Sequence, residues 1–190
     1  SYWTIRNIQI SNHNPKSHGT LEDPYITNKN VTFPMRNGIA IKAKFVSGYQ
    51  KKIVRGITVE NVVFEGIDSS HGDEGNCYVN RIENISAGSG GSALSFGAQD
   101  TQSGSSRSYF DGILVENCTF LNNGGTAIST GSGWKFHDSF HNVVIRGNRI
   151  ANDPDIPLSC TGMYIVSAVA PLVENNSIRD MTNGIGFQLC

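Results

Sequence analysis

The chain has 190 residues, of which 38% are hydrophobic and 16% are charged, and its formal net charge is −1 at pH 7. This charge balance gives no support for nucleic-acid binding, and no apolar run is long enough to span a membrane. The length suits a single domain, residues 1–190, and the 21 Gly argue against long helices.

An internal repeat organises the chain, and each copy is centred on one Asn or Gly between two short alternating segments. In the first copy, from Trp3 to Ile10, the apolar residues Ile5 and Ile10 lie two before and three after the central Asn7. The seven central residues are Asn7, Asn30, Asn61, Asn84, Asn117, Gly147 and Asn175. Alternation in such short pieces predicts strands with one buried face, and the central residue can take the left-handed conformation of a sharp bend.

A third short segment follows most copies and opens with a Gly. These glycines are Gly38, Gly91, Gly125, Gly162 and Gly184. Three strands per copy, with copies 23 to 33 residues apart, predict an all-β parallel β-helix of about seven coils, which we expect to be right-handed. Neither end of the chain carries a capping element, so we expect a fragment of a longer chain or a chain packed against others.

A charged residue precedes every central position, and Glu60, Glu83 and Glu116 follow one another in the predicted stack. Like charges about 5 Å apart repel each other. We expect a solvated face that blocks sheet association, with a cation-binding column as the alternative. Four central Asn residues are also glycosylation sequons, which we interpret as turn-forming residues whose amides hydrogen-bond along the stack.

The four cysteines fit no zinc signature. Cys118 occupies a position that is apolar in most other copies, so we expect it to point into the core as a small apolar residue. A Cys160–Cys190 bridge between neighbouring coils is an open alternative to free thiols.

Three stretches of the repeat, Tyr2 to Asn12, Ser139 to Ile150 and Ala170 to Ile178, resemble the pectate-lyase-like right-handed β-helix superfamily. The resemblance extends along nearly the whole chain through its scaffold positions. It implies a secreted or cell-surface protein with a polysaccharide across the outer face of one sheet. The superfamily includes glycoside hydrolases, polysaccharide lyases, epimerases, phage tailspikes and adhesins. Many related sequences carry G-D-G before a third strand, where this chain has Cys160-Thr161-Gly162 and therefore no carboxylate.

Catalytic and binding side chains are expected on the loops beside the third strands and on the outward positions of those strands. The stretch Trp134 to Asp138 combines a flat apolar plate for a sugar ring with proton carriers, although a column cap and a solvated loop would explain it equally. The candidate catalytic residues are Asp68, His137, Asp138 and Asp153. The candidate substrate-binding residues are Trp134, Lys135, Lys42, Lys44, Arg107 and Tyr164.

Two reaction types and one non-catalytic function remain open. A hydrolase needs two carboxyls about 5 Å apart if it retains configuration, or about 6.5–9.5 Å apart if it inverts it. A lyase needs a base such as Lys, Arg or His, and a cation or Arg to neutralise a uronate carboxylate. The non-catalytic alternative is a carbohydrate-binding or structural module, such as a tailspike-like or adhesin segment.

The sequence requires no cofactor. The loop from Glu65 to Gly75, which carries Asp68, His71, Asp73 and Glu74, offers the oxygen donors that Ca²⁺ takes, but Asp and Gly are also ordinary turn formers. The expected partners are a polysaccharide and either the remainder of a longer chain or further copies in a homo-oligomer, with no nucleic acid and no membrane.

Overall fold

The computed structural model of the protein describes residues 2–11, 38–43, 51–67, 92–98, 107–123, 125–132, 138–154, 161–188 and 190, with backbone alone at 51, 52 and 107. Its strands are β1 Trp3–Arg6, β2 Gln9–Ser11, β3 Ile39–Ala43, β4 Lys51–Glu60, β5 Val63–Glu65, β6 Ser92–Ala98, β7 Arg107–Glu116, β8 Thr119–Leu121, β9 Thr126–Gly131, β10 Phe140–Arg146, β11 Arg149–Ala151, β12 Thr161–Val166, β13 Leu172–Glu174, β14 Ser177–Arg179 and β15 Asn183–Gln188. The described residues contain no helix, as the alternating pattern predicts.

The strands form three parallel sheets of five strands each. Sheet A has the order β1-β4-β7-β10-β13, sheet B runs β2-β5-β8-β11-β14, and sheet C runs β3-β6-β9-β12-β15. Each coil therefore contributes one strand to every sheet, in the chain order A, B, C. This arrangement is that of a parallel β-solenoid and confirms three strands per described coil, with the third strand beginning beside the Gly residues of the repeat. The strands β4 and β7, of ten residues each, are longer than the short segments that the alternation predicts.

The inward positions form columns that cross the sheets. In sheet A, Ile5 pairs with Val59, which pairs with Val115, and the column continues through Ile145 to Val173. In sheet B, the rings of Phe64 and Phe120 stack with centroids 4.7 Å apart. Both rings are fully buried, so the apolar positions after the central residue form the core as the repeat predicts.

The described copies stack in chain order, but two of the pairings join copies that are not neighbours in the predicted repeat. Trp3 of β1 pairs directly with Ile57 of β4, and Ile57 pairs directly with Ile113 of β7. The predicted spacing of 23 to 33 residues therefore holds from β7 through β10 to β13, but not for the first two steps, because no strand lies between β1 and β4 or between β4 and β7. The copies centred on Asn30 and Asn84 lie outside the described residues, which form five coils.

The bend between sheets A and B is made by the central residue of each coil, as predicted. Every one of these residues has a positive φ, between 52° and 64°. They are Asn7, Asn61, Asn117, Gly147 and Asn175. Only Gly, and to a lesser extent Asn and Asp, takes this conformation at low cost, which explains why the column contains nothing else.

An amide ladder runs through the core one residue after the bend, rather than through the central residues themselves. The Nδ2 of Asn148 donates to Asn176 Oδ1 at 2.9 Å and to the Val115 carbonyl at 3.1 Å. The Oδ1 of Asn148 accepts from the backbone N–H of Cys118 at 2.9 Å. Because Asn148 is buried, these bonds satisfy backbone groups that water does not reach.

The charged column also differs from the expected run of like charges. Its register is Arg6–Glu60–Glu116–Arg146–Glu174, so the one like-charge neighbour pair is flanked by arginines. The guanidinium of Arg146 contacts Glu116 Oε2 at 2.9 Å through both Nε and Nη2. Glu83, which was expected between the two glutamates, lies outside the described residues.

We expect Asn148→Ala to lower the free energy of unfolding by about 2 to 4 kcal/mol, because it leaves the Cys118 N–H and the Val115 carbonyl buried without a partner. Chemical denaturation followed by circular dichroism measures the change. The neighbouring exposed substitution Arg149→Ala is the control, with an expected change within about 0.5 kcal/mol. Equal effects from both variants would show that the ladder does not stabilise the fold.

Candidate functional site

The outer face of sheet C has a floor of small residues. Its central outward column consists of Ala40, Ser95, Ser129, Tyr164 and Gly186. Lys42, Gly97 and Gly131 form the next outward column towards the carboxyl ends of the strands. Because the side chains are short, four of the five positions in the central column leave the backbone of the sheet open to a ligand.

Tyr164 is the large side chain on this face. The residue is 39% exposed, and its ring lies against Gly186 of the next coil, where a Cβ would come within 2.9 Å of the ring. The hydroxyl of Tyr164 donates a hydrogen bond to Gln188 Oε1. The ring is therefore held against a glycine and fixed at its far end, while part of the side chain stays open to solvent.

Lys42 stands at the opposite end of the same face. Its side chain is exposed and leans over Gly97, whose missing Cβ would lie 3.6 Å from Lys42 Cγ. Lys42 belongs to the first described coil and Tyr164 to the fourth. At about 4.8 Å per coil, the positive charge and the aromatic ring lie about 14 Å apart along the stack.

Asp138 and Asp153, two of the candidate catalytic carboxyls, lie on opposite borders of sheet C. The residue after Asp138 donates its backbone N–H to the carbonyl of Ser167, directly beyond the end of β12, so Asp138 lies between sheets C and A. The N–H of Asp153 donates to Asn122 Oδ1 just after β8, which places it between sheets B and C. A six-residue strand of about 20 Å separates the two borders, and the two carboxyls therefore do not face one bond.

A polar cluster on the outer face of sheet A was not among the candidate residues. The carboxylate of Asp111 accepts from Asn142 Nδ2 at 2.7 Å and contacts Arg55 Nε at 3.5 Å. His141 pairs with Asp111 across the strands, and its ring meets the edge of Tyr109. Arg55, Asp111 and His141 occupy equivalent positions in three copies, which is the sequence signal for this cluster. The sequence pattern predicts functional side chains on loops and on the third strands, whereas these residues lie in strands of sheet A.

Several candidate residues lie outside the described part of the chain. They are Asp68, Trp134, Lys135, His137 and Lys44, together with the side chain of Arg107, which begins β7. Asp68 directly follows Ile67, whose N–H donates to Asn123 Oδ1 at the border of sheets B and C. The roles assigned to these residues therefore stay predictions.

Within the described ranges, no three His, Cys, Asp or Glu side chains come together in a way that could hold a metal ion. The donors considered for Ca²⁺, Asp68, His71, Asp73 and Glu74, follow Ile67 in the sequence and lie outside those ranges, so that site also stays a prediction. Among the same residues there is no helix with the length and apolar character needed to cross a membrane.

Comparisons with protein-family models, curated proteins and solved structures give no match for this chain.

The described cysteines carry free thiols. Cys118 is buried as predicted, and its Sγ donates to the carbonyl of Glu116 at 3.3 Å. Burial raises the pKa of the Cys118 thiol. Cys190 is exposed, its thiol is free and its Sγ donates to the carbonyl of Ile165, while Cys160 lies outside the described residues.

We expect a thiol reagent to modify Cys190 in the folded protein and Cys118 only after unfolding, because burial excludes the reagent and the raised pKa suppresses the thiolate that reacts. Peptide mass mapping after labelling with and without denaturant measures both sites in one sample. Rapid labelling of Cys118 under native conditions would contradict its place in the core.

Proposed function

We propose that this protein binds and cleaves a polysaccharide across the outer face of sheet C, as a glycoside hydrolase or a polysaccharide lyase. The observation that carries the proposal is the small-residue floor of this face, with Tyr164 standing on it as a fixed aromatic plate. The right-handed path of the coils, membership of the pectate-lyase-like superfamily, and secretion or cell-surface location belong to the same proposal.

An aromatic plate beside a polar floor suits a sugar polymer because each sugar ring has apolar C–H faces and a rim of hydroxyls. The open side of the Tyr164 ring can stack on a C–H face. The hydroxyls of Ser95 and Ser129, which both donate and accept hydrogen bonds, lie in the same column as the ring. Ser129 already exchanges a 2.7 Å hydrogen bond with Ser92, which orients its hydroxyl.

The regular spacing of the coils also favours a repeating ligand. Equivalent outward side chains recur about every 4.8 Å along the stack, and the central column of the floor extends from Ala40 to Gly186 with Tyr164 as its one large side chain. A compact small molecule would use only one or two coils of such a face. An extended polymer uses all of them.

Asp138 is the described carboxyl best placed to act on a polysaccharide that lies on sheet C. It lies at the border of sheets C and A, towards which the carboxyl ends of all five strands of sheet C point. Lys42 and Gln188 lie near those same strand ends. A carboxyl there can donate a proton to a leaving oxygen or accept one from the sugar, while Lys42 offers a positive charge to a uronate carboxylate.

The alternative is a non-catalytic carbohydrate-binding or structural module. The separation of Asp138 from Asp153 favours it, because a hydrolase needs its two carboxyls within about 9.5 Å of each other. A lyase needs a base rather than a second carboxyl, so in a lyase His137, beside Asp138 in the sequence, can act as the partner of Asp138.

We expect Tyr164→Ala to weaken binding of the preferred polymer about tenfold, because the aromatic contact contributes roughly 1 kcal/mol beyond the buried area. Affinity electrophoresis against soluble neutral and uronate-containing polysaccharides identifies the polymer and measures the loss. Tyr164→Phe is the matched control, since it keeps the ring and removes only the hydroxyl bonded to Gln188. If Tyr164→Ala binds every polymer like the unaltered protein, sheet C is not the binding face.

We expect Asp138→Asn to abolish product formation with binding retained, and Asp153→Asn to leave the rate within about twofold of the unaltered protein. Mass analysis of released oligosaccharides measures both variants and identifies the reaction: unsaturated ends indicate a lyase, and ends that have gained water indicate a hydrolase. Binding without any product from the unaltered protein would establish the non-catalytic module instead.

A further inference from the structure

Two of the sharp bends between sheets A and B are made by an Asn that begins a glycosylation sequon. Residues 117–119 read Asn-Cys-Thr and residues 175–177 read Asn-Asn-Ser, and no other Asn among the described residues begins such a sequence. The repeat predicts that these Asn amides hydrogen-bond along the stack. The structure places the amide ladder on other residues, so the side chains of Asn117 and Asn175 have no such role.

These two side chains take no part in the hydrogen bonding of the described residues. The ladder runs through the neighbouring amides, where Asn148 donates to Asn176. At the bend itself it is the backbone that bonds, since the N–H of Asn117 donates to the Arg146 carbonyl at 3.2 Å. Asn117 and Asn175 are both exposed, and no side-chain bond involves either within the described ranges. Their amide nitrogens are therefore open to a covalent bond.

The strand after each bend presents the second functional group of the sequon on the same outer surface. Thr119 and Ser177 both pair with Arg149 in an outward row of sheet B. Ser177 is exposed and Thr119 is half-buried, whereas Cys118 between Asn117 and Thr119 is buried. The alternation of side chains along a strand therefore turns the Asn and the hydroxyl outwards and the middle residue inwards.

The column of bends leaves space for a bulky group beside each Asn. Gly147 lies between the two sequons, because Asn117 donates its N–H to the coil of Gly147, and Gly147 donates its N–H to the Glu174 carbonyl beside Asn175. A Cβ at Gly147 would come within 2.7 Å of Asn117 Oδ1. The two Asn residues therefore lie two coils, or about 10 Å, apart along the stack with no side chain between them.

The corner that holds these bends is remote from the face proposed to bind a polysaccharide. Sheets A and B meet at the bends, and sheet C forms the third side of each coil. A group attached at the corner extends away from the core and away from the outer face of sheet C. Modification at the bends therefore leaves the floor of sheet C uncovered.

We propose that Asn117 and Asn175 are N-glycosylation sites. The amide Nδ2 forms a bond to the anomeric carbon of a sugar supplied as a lipid-linked oligosaccharide diphosphate, in a reaction that an oligosaccharyltransferase catalyses. The bond from that carbon to the diphosphate oxygen breaks, its electron pair leaves with the diphosphate, and the amide nitrogen gives up one proton. The product is a bulky, solubilising group on the surface. The proposal rests on the secretion that belongs to the proposed function, and not on polymer binding at sheet C.

Secretion of the 190-residue chain from eukaryotic cells, behind a cleavable signal peptide, tests the proposal. A glycan-removing amidase in heavy-oxygen water converts each glycosylated Asn into a labelled Asp, and peptide mass mapping then reads the sites one by one. We expect the label at Asn117 and Asn175 in most molecules. Asn61, an exposed bend residue that begins no sequon, is the control and should carry none. Protein retained in the cells is mapped with the secreted protein, so a secretion defect does not hide the result.

Three variants separate the sequon from the bend. Thr119→Val and Ser177→Ala remove the hydroxyl but keep the bend Asn, so each should abolish the label at its own site and leave the other site unchanged. Asn117→Gly should also abolish the label at the first site, and Gly147 shows that Gly fills this bend at a φ of 64°. The second site serves as the internal control for the first two variants of the first site, and the first site for the second.

Unlabelled Asn117 and Asn175 would overturn the proposal, as would a label that survives loss of the sequon hydroxyl. Affinity electrophoresis before and after glycan removal tests the remote position of the corner, and we expect equal affinity for the preferred polysaccharide. A changed affinity would contradict that position. A protein that carries both glycans but binds no polysaccharide would contradict the proposed function alone.

Discussion

The left-handed bend between sheets A and B is the constraint on which the rest of the structure depends. An ordinary L-residue loses about 1–2 kcal/mol in this conformation, so the chain can turn there only at Asn or Gly. Because the bend recurs at the same distance from each strand, residues two before and three after it fall into straight columns. The stacked phenylalanines, the amide bonds of Asn148 and the charged column are all consequences of that common register.

The same register shapes the outer faces. A position that is small in one coil stands beside the equivalent position of the next, so the Ser and Gly residues of sheet C combine into a continuous floor. Tyr164 is the one bulky residue in this column of small residues, and Gly186 provides the space in which its ring lies. In sheet A the equivalent alignment brings Arg55, Asp111 and His141 together from three coils. A polar site in such a fold is therefore built from residues of several coils rather than from one segment of the chain.

Much of this could be predicted from the sequence, because it depends on short-range pattern. The alternation around Asn117 predicts two strands and a bend, and the apolar residues in its copies place Cys118 in the core. The stacking order could not be predicted in this way, since the length of chain between sheets B and C varies while the spatial step does not. Trp3 therefore meets Ile57 rather than a residue of the intervening repeat, and it is the structure that pairs Arg146 of the charged column with Glu116. The opposite positions of Asp138 and Asp153 follow from the strand order, since Asp138 comes after the third strand of its coil, β9, and Asp153 comes before the next third strand, β12.

Each coil of this fold repeats the previous one along the stack axis, so the repeat itself does not limit the number of coils. Every interior coil has its strand edges and its apolar ring satisfied on both sides, and an end coil differs only in lacking one neighbour. An added coil therefore completes the strand pairing and the apolar contacts of an end coil, whether it belongs to the same polypeptide or to another.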